Sequence, residues 1–375
     1  MNVLHIGAGN LFGGVETLFV TLARHRRLCR EMTPQFALCF DGRVSSELRL
    51  TGVPVYILGD VRVRRPWTVW RARRILAKLF KDQRFDVVVC HSVWPQALFG
   101  PVVHAAGLPL VFWLHDAAGG SHWLERWAGW TRPDGVVCNS RFTAGRLPNL
   151  YPGIPPRVVY CPVGTAQEKL SAAERQAVRA AMQTPQDAVV IIQVSRLESW
   201  KGHRLHLEAL GRLIDLPGWV CWQVGGVQRP HERRYLEELK FMAARLGISE
   251  RVRFLGHCAE VHRLLAAADI HCQPNTGPEP FGITFIEGLL AQLPVVTTAI
   301  GGALEILDPS CGILVPPQDP AALAVSLRQL IVDAALRSRL GAAGPTRARL
   351  LCDPREQITS LHDFLDRACK RNVAA

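Results

Sequence analysis

The chain alternates short apolar runs with segments of helical periodicity, and this alternation restricts its fold more than any other feature. In the first half, apolar runs typical of strands lie at 2–6, 35–40, 54–58, 86–90, 109–114 and 134–138. Helical patterns separate them, and parallel strands need such crossover helices, so the pattern predicts a doubly wound parallel sheet. A second alternating series begins at Ala188, after a stretch with little strand signal. The sequence therefore predicts two α/β domains.

The length supports this division, since 375 residues are enough for two domains of ordinary size. We expect the boundary near residue 165, which gives an N-terminal domain of residues 1–165 and a second domain of residues 166–353. Two such sheets are expected to face each other across a cleft. Ligands of doubly wound sheets bind at the carboxyl ends of the strands, so we expect the site there.

Composition narrows the class of protein. A hydrophobic content of 48% and a charged content of 20% are typical of a soluble globular enzyme. Eleven cysteines without a C-x-x-C pair, in a chain that starts directly with a strand pattern, predict reduced thiols and a cytoplasmic location. No apolar run is long enough for a membrane helix. The net charge of +12 indicates an anionic partner: a nucleotide-sugar donor, an anionic lipid surface or nucleic acid.

Two glutamates eight positions apart form the most informative motif. Glu279 falls on a loop after the strand pattern at 269–273, and Glu287 falls about one turn inside the following helical pattern. Between them, the backbone N–H groups of Gly282, Ile283 and Thr284 are expected at a helix N-terminus, which suits a phosphate group. A loop carboxylate, an anion-binding turn and a helical carboxylate together could bind a sugar, a diphosphate and a ribose. This pattern predicts a nucleotide-sugar site.

The same motif carries a family resemblance. The E-x7-E spacing with Phe281-Gly282 inside it resembles the retaining GT-B glycosyltransferases of family 4, also called group 1. Further similarity lies in Arg196 with Lys201-Gly202, in Gly301-Gly302 and in 312–315. The resemblance implies a GT-B fold with two Rossmann-like domains. It also implies that a terminal helix, at about 354–375, crosses back to the first domain.

The resemblance also implies residue roles. Arg196 and Lys201 would neutralise the donor diphosphate, Glu279 would hold the hydroxyls of the donor sugar, and Glu287 would accept hydrogen bonds from the ribose. His115, directly after the apolar strand pattern 110–114, would contact the donor sugar. The catalytic set is His115, Arg196, Lys201 and Glu279, and the donor-binding set is Gly13, Gly14, Phe281, Gly282, Ile283, Thr284 and Glu287.

The implied reaction transfers a sugar from a nucleotide-diphosphate sugar to a hydroxyl of a glycan or lipid-linked acceptor, as in cell-surface glycan synthesis. No metal and no cofactor are expected, since the sequence contains no Asp-x-Asp-like cluster and the resemblance implies that Arg196 and Lys201 neutralise the diphosphate. Nucleic acid is not expected as a partner, because no recognised binding motif accompanies the charge.

Other classes of protein remain open at this stage. Gly7-Ala8-Gly9 after the first strand pattern suggests an NAD-dependent Rossmann enzyme, with Asp41 placed to bind a ribose. The third glycine of that fingerprint is Phe12, however, whereas Gly13-Gly14 resembles the phosphate-approaching loop of family 4. A catalytically silent GT-B binding subunit, an epimerase and a phosphorylase are further alternatives.

Tryptophans and basic residues raise a question about membranes. The segment from Val61 leads into a basic helix with Trp67 and Trp70, which could lie on the anionic inner face of a membrane. The alternative is a solvated basic face with Trp70 packed inward. Trp123, Trp127 and Trp130 share one helix face and are expected mainly in the core. An acceptor-side platform beside Gly119-Gly120 is the alternative.

Overall fold

The computed structural model describes residues 1–164 and 170–374, which form two compact units. The first unit comprises Met1–Gly164 together with Cys352–Ala375, and the second comprises Thr165–Leu351. The predicted domain boundary near residue 165 lies outside the described residues. Each unit contains one parallel sheet with helices packed on it.

The first unit is built on a seven-stranded sheet. Its strands are β1 (Asn2–Gly7), β2 (Thr33–Leu38), β3 (Val55–Ile57), β4 (Val87–His91), β5 (Leu110–Leu114), β6 (Gly135–Cys138) and β7 (Pro156–Val158). The helices between them are α1 (Gly14–Arg24), α2 (Arg43–Leu50), α3 (Pro66–Asp82), α4 (Val93–Ala105), α5 (Trp123–Gly129) and α6 (Arg141–Arg146). Short 3-10 turns lie at Arg26–Leu28 and Leu147–Asn149. The strand order is β3-β2-β1-β4-β5-β6-β7, so the order reverses between β1 and β4.

The second unit repeats this plan with a six-stranded sheet. Its strands are β8 (Val189–Val194), β9 (Trp219–Val224), β10 (Val252–Gly256), β11 (Ile270–Gln273), β12 (Val295–Thr298) and β13 (Gly312–Val315). Its helices are α7 (Ala172–Ala181), α8 (His203–Gly211), α9 (Pro230–Arg245), α10 (Val261–Ala267), α11 (Ile283–Leu290), α12 (Ala303–Ile306), α13 (Pro320–Val332) and α14 (Ala334–Cys352), with 3-10 turns at Ser199–Lys201 and Ser249–Arg251. The order β10-β9-β8-β11-β12-β13 reverses between β8 and β11.

Both faces of each sheet are covered, as a doubly wound sheet requires. In β8, Ile191 packs into the core on one face, whereas Val190 and Ile192 pack into the core on the other. Successive side chains of a strand point to opposite faces, so a strand buried on both sides is apolar throughout. This explains why the apolar runs of the sequence mark the strands, and the predicted pair of doubly wound parallel sheets is confirmed.

Two details of the first sheet differ from the sequence prediction. The second strand was expected at 35–40 but ends at Leu38, because the N–H groups of Cys39 and Phe40 both donate to the carbonyl of Ala8. Strand β7 was not predicted. It is an edge strand with exposed residues at Pro156 and Arg157, so it lacks the apolar run that marks the inner strands.

The last helix, α15 (Pro354–Ala374), belongs to the first unit although the second unit separates it from the rest of that unit in sequence. Ile358, Leu361, Leu365 and Ala368 are buried and recur at helical spacing. Arg157 Nη2 donates to Ser360 Oγ at 2.8 Å, and the backbone N–H of Tyr160 donates to Gln357 Oε1 at 3.0 Å. Among the described residues, no helix is both long and apolar enough to cross a membrane.

Candidate active site

Glu279 lies at the centre of a buried polar cluster at the carboxyl end of β11. The residue is only 8% exposed. Its Oε2 atom accepts from Lys201 Nζ at 2.5 Å, from Asn275 Nδ2 at 3.1 Å and from Gln273 Nε2 at 3.4 Å. Within the described part of the chain, its Oε1 atom has no hydrogen-bond donor. One carboxylate oxygen is therefore held in place, and the other is left for a ligand.

The loop that carries Glu279 is tied to the turn that carries Lys201. The N–H groups of Thr276 and Gly277 donate to the carbonyl of Trp200 at 2.8 and 3.3 Å. Gly202 has a left-handed backbone, with φ of 74°, and a Cβ atom there would overlap the carbonyl group of Pro274. Only glycine permits this approach and this conformation together. The turn therefore places Lys201 Nζ against Glu279, and also 4.0 Å from the ring centre of Trp200.

The glycine pair Gly301-Gly302 packs against the backbone of the same loop. The N–H of Gly302 donates to the carbonyl of Glu279 at 2.7 Å. A Cβ atom on Gly301 would overlap the backbone of Glu279, and one on Gly302 would overlap the backbone of Phe281. Phe281 itself is 2% exposed, so its ring belongs to the interior of this unit. The Gly301-Gly302 pair noted in the sequence thus contacts the site loop directly.

Helix α11 starts at the end of this loop, as the sequence predicts. Gly282 is its N-cap residue, and Ile283 and Thr284 form its first turn. N–H groups at this position have no acceptor within their own helix and favour an anion. Thr284 Oγ1 donates to Gln273 Oε1 at 3.3 Å, which ties the first turn to β11.

Glu287 lies one turn further along α11. It is half-buried, and its carboxyl group has no hydrogen-bond or ion-pair partner among residues 1–164 and 170–374. Burial raises the pKa of Glu287 to about 7. A carboxyl group that is partly shielded from water and has no partner costs stability, so groups of this kind mark candidate ligand sites.

Arg196 follows β8 by two residues, next to the point at which the strand order reverses. Its Nη2 atom lies 3.1 Å from Glu198 Oε2, and the same Glu198 oxygen accepts from Trp200 Nε1 at 3.1 Å. The Arg196 side chain is 30% exposed. A guanidinium has five N–H donors, so this ion pair leaves donors for a phosphate.

The remaining predicted residues lie in the first unit. His115 directly follows β5, is 6% exposed, and its Nε2 atom lies 3.0 Å from His91 Nδ1. Burial lowers the pKa of His115 to about 3, so its imidazole is neutral near pH 7. Gly13 is the N-cap of α1, where its N–H donates to Glu16 Oε2 at 3.0 Å, and Gly14 is exposed as the first residue of that helix.

The structure thus places Arg196, Lys201, Glu279, 281–284 and Glu287 in the second unit, and His115, Gly13 and Gly14 in the first. Lys201 and Glu279 form a direct ion pair, which the sequence did not reveal because 78 positions separate them. Gln273 and Asn275 were also missed, although both hold Glu279. A glutamine inside an apolar strand was the available signal, because a buried amide needs hydrogen-bond partners.

The features that suggested an NAD-dependent enzyme have structural roles here. Asp41 Oδ1 accepts from Ser45 Oγ and from Arg49 Nη1, at 2.5 and 3.0 Å, and so supports the start of α2. Phe12, which replaces the third glycine, lies under the guanidinium of Arg43 at 3.8 Å.

The tryptophans are more exposed than expected. Trp70 is 57% exposed and lies under the guanidinium of Arg74, so the inward packing considered from the sequence is wrong. Trp123 and Trp130 are 53% and 82% exposed, and only Trp127 packs against the core. Trp123 and Trp127 stack on each other within α5, whereas Trp130 lies just beyond the end of this helix at Gly129.

Comparison with known proteins establishes the family. Residues 12–167 match the model described as Glycosyltransferase Family 4, and residues 174–347 match the model described as Glycosyl transferases group 1. Phosphatidyl-myo-inositol mannosyltransferase of Mycobacterium leprae is 30% identical over 285 residues, which are 74% of this chain and 72% of that protein. The chain belongs to glycosyltransferase family 4. The family predicted from the E-x7-E motif is confirmed.

Other relatives match mainly over part of their length. The lipopolysaccharide core biosynthesis glycosyltransferase LpsE of Rhizobium meliloti is 32% identical over 212 residues, which are 56% of this chain and 58% of that protein. D-inositol 3-phosphate glycosyltransferase of Geodermatophilus obscurus is 30% identical over 221 residues, 57% of this chain and 48% of that protein. The chain therefore spans about half the length of these two relatives.

Solved structures confirm the GT-B fold class of this family-4 chain. Anabaena Alr3699/HepE in complex with UDP and glucose has a TM-score of 0.84 at 22% identity, over 97% of this chain and 99% of that one. WaaG, a glycosyltransferase involved in lipopolysaccharide biosynthesis, has a TM-score of 0.70 at 18% identity over all of both chains. The comparisons do not favour the NAD-dependent enzyme or the silent binding subunit.

Proposed function

We propose that this family-4 protein is a retaining glycosyltransferase that uses a nucleotide-diphosphate sugar as donor and a hydroxyl group as acceptor. One observation carries the proposal. Glu279 is fixed through Oε2 by Lys201, Asn275 and Gln273 while Oε1 is open, and the unpartnered Glu287 lies on the helix that starts directly after the same loop. The relatives with glycosyltransferase names and the UDP-glucose complex of Anabaena Alr3699/HepE support it.

The diphosphate of the donor would bind at the start of α11. There, the N–H groups of Gly282, Ile283 and Thr284 provide donors and the helix dipole provides a partial positive charge. Lys201 and Arg196 are each ion-paired with a glutamate and would add positively charged donors, and Gly13-Gly14 would also contact the phosphates. Charge grows on the diphosphate as it leaves, so these groups stabilise the transition state more than the ground state.

The two glutamates would bind the two sugars of the donor. Glu287 would accept hydrogen bonds from the ribose hydroxyls, and Oε1 of Glu279 would accept from hydroxyls of the transferred sugar. His115 would contact the same sugar. Because Lys201, Asn275 and Gln273 already hold Oε2, Glu279 suits a binding role better than that of a nucleophile that must swing towards the anomeric carbon.

The reaction then proceeds on one face of the donor sugar. The bond between the anomeric carbon and the diphosphate oxygen breaks, and the acceptor oxygen forms its bond on the face that the diphosphate leaves. The acceptor proton passes to the departing diphosphate. No residue carries a covalent intermediate in this scheme, and the anomeric configuration is retained.

We propose that the diphosphate is neutralised by Arg196, Lys201 and backbone N–H groups without a metal ion. Among the described residues, no group of three or more His, Cys, Asp or Glu side chains is placed to hold a metal. Donor binding is therefore expected to be insensitive to EDTA.

For the acceptor, we propose a glycan or lipid-linked hydroxyl reached at the cytoplasmic face of an anionic membrane. Helix α3 presents Trp67 and Trp70, 65% and 57% exposed, next to its arginines and lysines. Exposed tryptophans and basic side chains on one helix suit a lipid interface. The names of two relatives, a lipopolysaccharide core biosynthesis glycosyltransferase and a phosphatidyl-myo-inositol mannosyltransferase, support such an acceptor.

Sedimentation with vesicles of phosphatidylglycerol and phosphatidylcholine tests the membrane part of this proposal. We expect the wild type to sediment with anionic vesicles, and the double variant Trp67→Ala/Trp70→Ala to lose most of this binding. The control is Phe241→Ala, which removes a 66% exposed aromatic ring from α9. Equal sedimentation of all three proteins would rule out α3 as the contact.

The activity itself is tested by incubation with UDP-glucose, GDP-mannose or ADP-glucose in the presence of phosphatidylinositol vesicles. ¹H NMR follows the release of the nucleoside diphosphate. The same spectra show the anomeric configuration of the sugar immediately after its transfer to lipid or water. We expect release with one nucleotide, retention of configuration, and a kcat at least tenfold lower in Lys201→Met. An inverted product would contradict the retaining mechanism, and a normal kcat in Lys201→Met would remove Lys201 from it.

A further inference from the structure

Three histidines on neighbouring strands of the first sheet form a continuous chain of hydrogen bonds. His5 lies on β1, His91 ends β4, and His115 follows β5. His5 Nδ1 lies 2.9 Å from His91 Nε2, and His91 Nδ1 lies 3.0 Å from His115 Nε2. All three are buried, at 0%, 1% and 6% exposure. The strand order reverses between β1 and β4, so the chain of histidines starts at this reversal and ends at His115.

Each of the three rings carries a single hydrogen. Burial lowers the pKa of His5 and His115 to about 3 and that of His91 well below its ordinary value, so all three imidazoles are neutral near pH 7. A neutral imidazole has one donor nitrogen and one acceptor nitrogen. The two hydrogen bonds therefore couple the tautomers. If one ring moves its hydrogen to the other nitrogen, the other two must do the same.

The two ends of the chain differ. At the inner end, His5 Nε2 is buried and has no hydrogen-bond partner in the described part of the protein. The rings of Phe36 and Phe19 lie beside it, at centroid distances of 5.4 and 6.5 Å. At the outer end, His115 Nδ1 also has no partner among the described residues, but unlike His5 Nε2 this atom is not fully buried. The chain thus cannot carry protons from solvent to His115, because its inner end is closed.

The buried environment of His5 Nε2 determines which nitrogen donates in each of the two hydrogen bonds. If His115 carried its hydrogen on Nε2, His5 would carry its own on Nε2, which would be a buried N–H without an acceptor. Such groups are rare in proteins because the lost hydrogen bond is costly. In the opposite arrangement, His5 Nδ1–H donates to His91, His91 Nδ1–H donates to His115 Nε2, and His115 keeps its hydrogen on Nδ1. At the inner end only a lone pair of His5 is then unused, and the unpaired Nδ1–H of His115 lies at the outer end, which is not fully buried.

The backbone next to His91 points to a constrained site. Ser92, the N-cap of α4, has φ of 66° and ψ of 168°, a combination that is nearly restricted to glycine. Its N–H donates to the carbonyl of Trp113 at 2.9 Å, and the ring of Trp113 stacks on both His91 and His115. Strained backbone persists only where the surroundings over-determine it, and it concentrates at functional sites.

We propose that His5 and His91 are positioning residues that hold His115 in the tautomer with its hydrogen on Nδ1, so that Nδ1–H donates to an oxygen of the bound donor sugar. This contact with the donor sugar rests on the glycosyltransferase function proposed above. The tautomer itself follows from the first unit alone.

Long-range ¹H–¹⁵N correlation spectra of histidine-labelled full-length protein report the tautomer of each ring, with His115→Gln for assignment. We expect Nδ1-protonated rings for all three histidines in the wild type. His91→Asn keeps an amide N–H near the position of His91 Nδ1, so His115 should keep its hydrogen on Nδ1 in this variant. His91→Leu has a similar shape but no donor, so His115 should then populate both tautomers. In the kinetic assay, His91→Leu should lower kcat about three- to tenfold with little change in KM, and His91→Asn should recover most of this loss.

A wild-type His115 with its hydrogen on Nε2 would overturn the proposal, and so would equal kcat values for His91→Asn and His91→Leu. If His91→Leu does not fold, His5→Asn and His5→Leu provide the same comparison one ring further from His115, and the wild-type spectrum still decides the tautomer. A wild type that consumes no nucleotide sugar would contradict the proposed function, whereas the spectra would still support or overturn the tautomer.

Discussion

Glu287 is a half-buried carboxyl group. Burial raises its pKa from the ordinary value of 4.5 to about 7. Between these pH values the folded protein keeps a proton that the unfolded chain releases, so stability falls as the pH rises through this range. The penalty is absent below about pH 4.5 and complete above pH 7, where it amounts to at most about 3 kcal/mol. The free protein thus holds Glu287 at a cost that a ligand could offset.

This gives a prediction at the scale of one residue. Glu287→Gln should be more stable than the wild type above pH 7, and the gap should shrink steadily towards pH 4.5, because the amide cannot ionise. Urea unfolding at pH 5, 6, 7 and 8 measures the gap. Glu237→Gln, on the exposed side of α9, is the control and should show no such trend. A gap for Glu287→Gln that does not change with pH would contradict the raised pKa.

The sequence predicted single residues well where local pattern determines their position. Glu279 on a loop and Glu287 one turn inside a helix follow from a strand pattern, a Pro-Phe-Gly turn and a helical pattern within a few residues of each other. The partners of Glu279 could not be predicted in this way. Lys201 is distant in sequence, and its approach depends on how the 3-10 turn Ser199–Lys201 packs against the loop after β11.

At the scale of elements, the contact between the Lys201 turn and the Glu279 loop depends on Gly202. Gly202 and Gly218 have nearly the same left-handed φ, 74° and 76°, but a Cβ atom on Gly218 meets nothing within 4 Å, whereas one on Gly202 overlaps the carbonyl group of Pro274. Substitutions at these two glycines therefore separate the effect of backbone conformation from the effect of close packing.

Gly218→Ala should therefore cost only the left-handed strain, about 1–2 kcal/mol. Gly202→Ala should cost more in stability and should also weaken donor binding, because Lys201 and Glu279 move apart when the loop shifts. Urea unfolding and donor titration of both variants check this. Similar stability losses with unchanged donor affinity would show that the close approach at Gly202 does not position the site.

Elements were predictable where both faces are buried, and less so elsewhere. The inner strands of the first sheet are largely apolar runs and were predicted, whereas the inner strand β9 of the second sheet was not. The edge strand β7 was missed because it is short and mostly exposed, so no apolar run marks it. The exposure of Trp70 and Trp130 was misjudged because periodicity shows which residues share a face and does not show what covers that face.

At the scale of the whole molecule, the chain returns to its first unit through α15. Leu361 and Leu365 are fully buried in that unit, whereas Leu350, near the end of α14, is 67% exposed. Leu361→Ala should lower the free energy of unfolding by about 2–5 kcal/mol, as expected for a buried leucine. Leu350→Ala should change it by less than about 0.5 kcal/mol. Equal effects in denaturant unfolding would show that α15 is not an integral part of the first unit.

The most direct test of the central claim is isothermal titration of the 375-residue chain with UDP-glucose, GDP-mannose, ADP-glucose and NAD, each with and without EDTA. We predict binding of one nucleotide, unchanged by EDTA and unchanged in Glu237→Ala. In Glu287→Ala the affinity should fall about ten- to a hundredfold, because hydrogen bonds to a charged group contribute roughly 1.5–3 kcal/mol. Binding of NAD in place of every nucleotide sugar, or full donor affinity in Glu287→Ala, would contradict the account.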